Sequence, residues 1–173
     1  ERLIDIGEVE VHDEPVPLTG MSKIIEDADK AVLFTKAGPE QLDVIAKSNG
    51  GRKRIAAAFE TEPGNVPEAY QARLANPQKA VEIPSDEAPV HQVKITGDDI
   101  DLTKLPFHPQ HAYDGSCYLS CGIDFTVDPV SGRTNVGSRR LSLRNRTQTG
   151  TNVTAPSDLK RMYEACVARG EKL

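Results

Sequence analysis

The sequence has no tryptophan, only three cysteines in 173 residues, and an aromatic fraction of 5%. So few aromatics leave few platforms on which nucleobases could stack. A formal net charge of -5 gives no general attraction to nucleic acid or to an anionic membrane. An odd number of sparse cysteines argues against a disulfide framework. No apolar run approaches the roughly 18 residues needed to span a bilayer. The opening Glu1-Arg2-Leu3-Ile4-Asp5 has no signal-peptide character. The expectation is a cytoplasmic protein with neither nucleic-acid nor membrane partners. Any anion site must be a local concentration of arginines. Both ends read as interrupted ordered structure, so a truncated chain is expected.

What is present is an ordinary globular balance, 38% hydrophobic and 27% charged. Val9 and Val11 alternate with charge as a short strand, and Ala31 to Thr35 reads as a buried one. Helices are expected over Ser22 to Lys30, Arg54 to Glu60 and Pro67 to Leu74. A further helix is expected over residues 39–48, where Leu42, Ile45 and Ala46 have helical spacing and Gly50-Gly51 supplies the stop. This alternation predicts an N-terminal α/β domain over residues 1–89. Pro84 to Pro89 has the character of a linker.

Residues 90–173 read differently. Val90 to Ile95 is expected as a strand. Leu105-Pro106-Phe107-His108-Pro109 is irregular because of its two prolines. Tyr118 to Val127 and Thr134 to Arg144 are strong strand patterns joined by Asp128-Pro129-Val130-Ser131-Gly132, a hairpin loop. Thr147 to Ala155 is expected as a loop. Ser157 then caps a helix whose apolar face carries Leu159, Met162, Tyr163 and Cys166, with Gly170 as its stop. The fold class is α+β, the second part opening a mostly antiparallel β domain.

The chemistry concentrates in one segment. Arg133, Arg139, Arg140, Arg144 and Arg146 fall within fourteen residues. Strand alternation puts Val136, Ser138, Arg140, Ser142 and Arg144 on one face, and Gly137, Arg139, Leu141, Leu143 and Asn145 on the other. The leucine face is the natural core face. The Ser-Arg-Ser-Arg face offers hydroxyl and guanidinium donors suited to phosphate or carboxylate. On residue types alone an exposed strand with solvated arginines fits as well.

The run Asn135-Val136-Gly137-Ser138-Arg139-Arg140, after a strand and a DP-containing loop, resembles the signature of the UbiD decarboxylase family. The lead-in Leu105-Pro106-Phe107-His108-Pro109, the Asp114-Gly115 turn and Cys121-Gly122-Ile123 are similar to the family's approach to that signature. Thr149 to Leu159 resembles a subgroup acting on aromatic or heteroaromatic acids. The resemblance implies an N-terminal α/β domain followed by the start of a split β-barrel flavin-binding domain. It implies reversible, non-oxidative decarboxylation of an aromatic, heteroaromatic or α,β-unsaturated acid by a homo-oligomeric carboxy-lyase. The cofactor implied is prenylated FMN, held with Mn²⁺ or Mg²⁺ and often K⁺. The acid–base glutamates would lie beyond residue 173, so this chain alone is expected to be inactive.

By the same resemblance Arg140 is the catalytic arginine that holds the substrate carboxylate. Ser138, Arg139, Arg140, Asn152, Val153, Thr154 and Ser157 are cofactor contacts, and Asn135 and Asp158 are metal ligands. Several relatives carry histidine where this chain has Asp158. That carboxylate is either a hard-oxygen substitute or a helix N-terminal charge. Asn135 has an alternative as a turn residue, and Ser157 as a plain N-cap. Arg144 shares the face of Arg140 but lies outside the matched run. His108 and His111 lack zinc-spaced partners and read as loop residues. Cys117 and Cys121 read as small core residues on one side of a strand. Gly50 to Arg54 reads as a helix stop and a solvated basic turn. Two rivals remain: a non-catalytic flavin- or phosphate-binding β domain, and an interaction domain with a solvated arginine strand.

Overall fold

The computed structural model describes all 173 residues, which divide into two compact units, Glu1–Ile100 and Asp101–Leu173. In the first, a three-stranded sheet runs in the order β1 (Val9–His12), β2 (Ala31–Ala37), β3 (Leu42–Ala46). The β1–β2 pair is parallel, and its crossover is α2 (Leu18–Asp27), which follows the short α1 (Arg2–Asp5). β2 and β3 pair antiparallel. Met21 of α2 packs with Ala28, Val32, Phe34 and Ala37 to form the core. Met21, Val32 and Phe34 lose all their solvent exposure, which for side chains of this size is worth roughly 1.5–3 kcal/mol each. α3 (Arg52–Phe59) and α4 (Val66–Ala75) complete the unit.

Three expectations fail here. The helix expected over residues 39–48 is the strand β3. Gln41 and Lys47 bracket it with positive φ of 49° and 56°, which breaks the chain on both sides, and Val44 and Ile45 suit a strand. Gly50-Gly51 consequently starts a helix instead of ending one, with Gly51 at the N-cap of α3. Nor is the basic turn all solvated. Arg54 is 5% exposed, lies 3.0 Å from Glu8 Oε2 and donates to the Asp29 carbonyl at 3.2 Å. Its guanidinium lies so close over Gly51 that a Cβ there would sit 2.9 Å from Nη2.

Val90 to Ile95 forms no strand. Pro89–His91 is a 3₁₀ turn, and Val90 and Val93 are 79% and 75% exposed. Alternation alone does not make a strand when no partner supplies the backbone hydrogen bonds.

The second unit is an antiparallel sheet, β4 (Tyr118–Val127), β5 (Thr134–Asn145), β6 (Gln148–Gly150), followed by α5 (Asp158–Ala168). The short β6 lies within the segment expected as a loop. α5 begins as expected, with Ser157 Oγ accepting the Lys160 N–H at 3.2 Å. It buries Leu159, Met162 and Cys166. Its stop is Gly170, at φ 68°. Tyr163, expected on that buried face, is 48% exposed. No helix in the chain is long and apolar enough to cross a membrane.

Candidate anion-binding face

A β-bulge decides which residues share the functional face. Leu119 pairs with Leu141 but Gly122 pairs with Arg139, so Ser120 and Cys121 stand opposite the single residue Arg140. Cys121 takes φ 59°, a left-handed conformation uncommon outside glycine. The extra residue reverses the alternation of β4. Tyr118, opposite Ser142, thereby joins the face of Ile123, Phe125 and Val127, opposite Ser138, Val136 and Thr134. Bulges commonly re-aim side chains in this way beside functional sites. They also defeat simple counting. Cys121, expected in the core on the side of Cys117, is exposed.

The other face carries Gly122, Asp124, Thr126, Gly137, Arg139 and Leu141. With Leu159 and Tyr163 of α5, most of these line an apolar cleft of about 380 Å³. It is the face expected to be core. On it Arg139 Nε lies 2.8 Å from Asp124 Oδ1. The N–H is not aimed along that line, so the pair attracts as ions while both atoms lack a hydrogen bond. Gly137, opposite Asp124, lies directly beneath the pair. A Cβ at Gly137 would sit 2.7 Å from both Arg139 Nη2 and Asp124 Oδ1.

The first face stays open and forms a cavity of about 880 Å³. Its wall includes Ser116, Tyr118, Ser138, Arg139, Arg140, Ser142 and Arg144, closed by Gly150 to Thr154. The guanidinium groups of Arg140 and Arg144 and several hydroxyls line it, with no carboxylate, so the cavity favours anions; Arg139 borders it without turning its charge inward. The size suits a cofactor-scale ligand. Arg140 lies with its guanidinium carbon 4.1 Å from the Tyr118 ring centroid and donates to Gln110 Oε1 at 3.3 Å. Arg144, outside the matched run, lines the same cavity. Its Nε would meet a Cβ at Gly150 at 2.7 Å, so glycine there makes room for a guanidinium.

Ser138, Arg139, Arg140, Asn152, Val153 and Thr154 are thus gathered around one cavity, while Asn135, Ser157 and Asp158 are absent from its wall. Arg139 turns its guanidinium to the opposite face, as alternation requires. Asn152 Oδ1 accepts the Thr154 N–H at 2.9 Å, shaping the closing segment. Asn135 shares the α5 face with Gly137 and Arg139. Asp158 opens α5 and is tied to the hairpin loop through Arg161, which contacts Asp158 Oδ1 at 3.5 Å and Asp128 Oδ2 at 3.3 Å. Asp128 is buried and also accepts the Val130 N–H and the Ser131 hydroxyl. These bonds, the Val130 N–H first, hold its carboxyl below the usual range. The start of α5 and the hairpin end are therefore fastened together. Asn135 and Asp158 offer hard oxygens suited to Mg²⁺ or Mn²⁺. No three His, Cys, Asp or Glu side chains are grouped for a metal, so other donors must complete such a shell.

Gln110, Tyr118 and Ser116 were not singled out from the sequence. Ser142 and Arg144 were at least visible as members of the Ser-Arg-Ser-Arg face. His108 and His111 are loop residues as expected. The His108 backbone bridges Tyr118, and the His111 N–H donates to Asp114.

Residues 81–173, more than half of the chain, match the family model described as UbiD, 3-octaprenyl-4-hydroxybenzoate carboxy-lyase Rift-related domain. An uncharacterized protein in the cooM 5′ region of Rhodospirillum rubrum is 28% identical over the whole chain, which spans 38% of that relative. The UbiD-class enzyme HmfF from Pelotomaculum thermopropionicum, solved with FMN, superposes with TM-score 0.89 at 25% identity, over 98% of this chain and 38% of that one. An evolved dimeric HmfF, solved with prFMN, gives TM-score 0.89 at 26% identity, over 98% of this chain and 40% of that one. Vanillic acid decarboxylase of Sedimentibacter hydroxybenzoicus shares the fold, with TM-score 0.86 at 20% identity, over 98% of this chain and 39% of that one. This chain therefore spans about two fifths of the proteins it matches. With the Asn135 to Arg140 run lying inside the matched region, the chain belongs to the UbiD family.

Proposed function

We propose that this chain is the N-terminal part of a prenylated-FMN-dependent decarboxylase of aromatic, heteroaromatic or α,β-unsaturated carboxylic acids. The observation that carries the reading is the carboxylate-free, arginine-lined cavity with Arg140 in its wall, in a chain of this family. Residues 1–89 serve as its N-terminal α/β domain, and residues 90–173 open its flavin-binding split barrel.

Prenylated FMN, when bound, supplies the electron sink that loss of CO₂ requires. The residues of this chain bind and orient. Arg140 presents a planar fork that grips the substrate carboxylate at two points and sets the angle of the scissile C–C bond. Ser138 and the Asn152 to Thr154 segment would contact the cofactor, and Asn135 and Asp158, which lie outside the cavity wall on the α5 side, would offer oxygens to a divalent cation bound with it. The net reaction takes one proton and releases CO₂, leaving C–H where the carboxylate was. No carboxylate of this chain lines the cavity to supply that proton.

The test is reconstitution of the full-length protein with prenylated FMN, followed by CO₂ release from a panel of such acids. The reading requires a flavin spectrum and turnover of at least one acid. Flavin binding with no turnover of any acid would favour the non-catalytic binding domain.

A further inference from the structure

Arg140 is not placed by its own strand alone. Its guanidinium is bonded to a side chain thirty residues away, on the loop that precedes β4. Gln110 uses both ends of its amide. Oε1 accepts from Arg140 Nη1, and Nε2 donates to Ser120 Oγ, within the bulge facing Arg140. The Gln110 backbone is itself fixed, because Asp114 Oδ2 accepts the Gln110 N–H at 2.8 Å and the His111 N–H at 3.1 Å. The Tyr118 ring adds support, its centroid 4.1 Å from the guanidinium carbon.

We propose that Gln110 is a positioning residue for Arg140, holding one edge of the guanidinium so that the remaining donors face the cavity in a fixed orientation. The chemistry of an amide suits the task. Its oxygen satisfies a guanidinium N–H without adding a second negative charge to that of the nearby Asp114 carboxylate, so Arg140 stays attractive to an incoming carboxylate. A glutamate in its place would neutralise Arg140 and compete with the substrate. A freely rotating arginine would still attract an anion but would lose the geometry that a two-point grip needs. The proposal rests on reading Arg140 as the residue that grips the substrate carboxylate.

The experiment uses two variants of the full-length holoenzyme. Gln110→Met keeps the length and packing of the side chain and removes both hydrogen bonds. Gln110→Glu keeps an acceptor and adds a charge. The expected result is opposite kinetics. Gln110→Met lowers kcat by on the order of 10- to 100-fold with flavin content unchanged. Gln110→Glu chiefly raises KM and weakens benzoate binding to the holoenzyme. A purely structural role would not split the two variants this way. The proposal is overturned if both variants keep wild-type kcat and KM, or if both lose activity only in step with lost flavin. Arg140→Ala separates this outcome from failure of the underlying reading. If benzoate binding survives Arg140→Ala, the carboxylate role of Arg140 falls. The Arg140 Nε–H resonance in arginine-labelled protein then still decides the positioning claim. Broadening in Gln110→Met supports it, and an unchanged signal overturns it.

Discussion

Replacing Gly137 by alanine probes how the Asn135 to Arg140 run is built. Gly137 has ordinary strand geometry, so backbone strain plays no part. The obstacle is the Arg139–Asp124 pair above it, at 2.8 Å. A new Cβ would stand 2.7 Å from Arg139 Nη2 and from Asp124 Oδ1, and both must retreat by roughly 0.7 Å to regain ordinary contact. Forcing atoms into such a space costs about 1–3 kcal/mol. Removing glycine's backbone entropy returns about 0.5–1 kcal/mol. A net loss of about 1–2 kcal/mol is expected, read as a lower urea midpoint with an unchanged slope. In the Asp124→Ala, Arg139→Ala background the obstacle is gone, and Gly137→Ala should be neutral or stabilising. Neighbouring sites couple in this way, and the double-mutant comparison isolates the coupling. An equal loss in both backgrounds would refute the reasoning, because the ion pair would then have nothing to do with the glycine.

Arg54→Ala should cost about 3 kcal/mol in urea unfolding, the low end for breaking a buried pair because Lys53 stays 3.6 Å from the mostly buried Glu8 carboxylate, and a loss below about 1 kcal/mol would contradict the burial of Arg54. Asp114 is held below the usual carboxylate value, first by the Gln110 N–H and then by that of His111. A depressed folded pKa contributes stability above the unfolded value of about 3.9 and loses it as pH falls through the folded value. The Asp114 carboxyl carbon resonance should therefore show its main titration step only below about pH 4. Movement nearer pH 6 would contradict the assignment. Asn135→Ala should lower the flavin and metal content of purified full-length protein, with partial recovery in excess Mn²⁺. Stoichiometric retention of both would reduce Asn135 to a strand residue.

The second unit was more legible in the sequence than the first. Tyr118–Val127, the hairpin loop and the cap at Ser157 carry signals set by neighbouring residues, and those elements appear where expected. β3 was misread because five residues with apolar positions at three and four apart fit a helix and a strand equally, and pairing with β2 decided the matter. The arginine face was legible because β5 alternates without interruption through Arg140. The bulge at Ser120–Cys121 was not, since it depends on how β4 registers against β5. With it were hidden the stacking of Tyr118 on Arg140 and the reach of Gln110 across thirty residues. Asp158 lay at the helix start, as its dipole reading required. Its tether to Asp128 through Arg161 needed the fold to bring residues thirty-three apart together.

The central claim is that Arg140 grips a substrate carboxylate in a flavin-loaded cavity. Arg140→Lys tests it most directly, because lysine keeps the charge and loses the planar fork. The measurement is the initial rate of CO₂ release by full-length holoenzyme, from an acid the wild type turns over, with flavin content determined on the same samples. The account predicts a fall on the order of 10²-fold with flavin retained, the scale of about 1 Å of misplacement at a reacting bond. A rate near that of the wild type, with flavin fully bound, would contradict it.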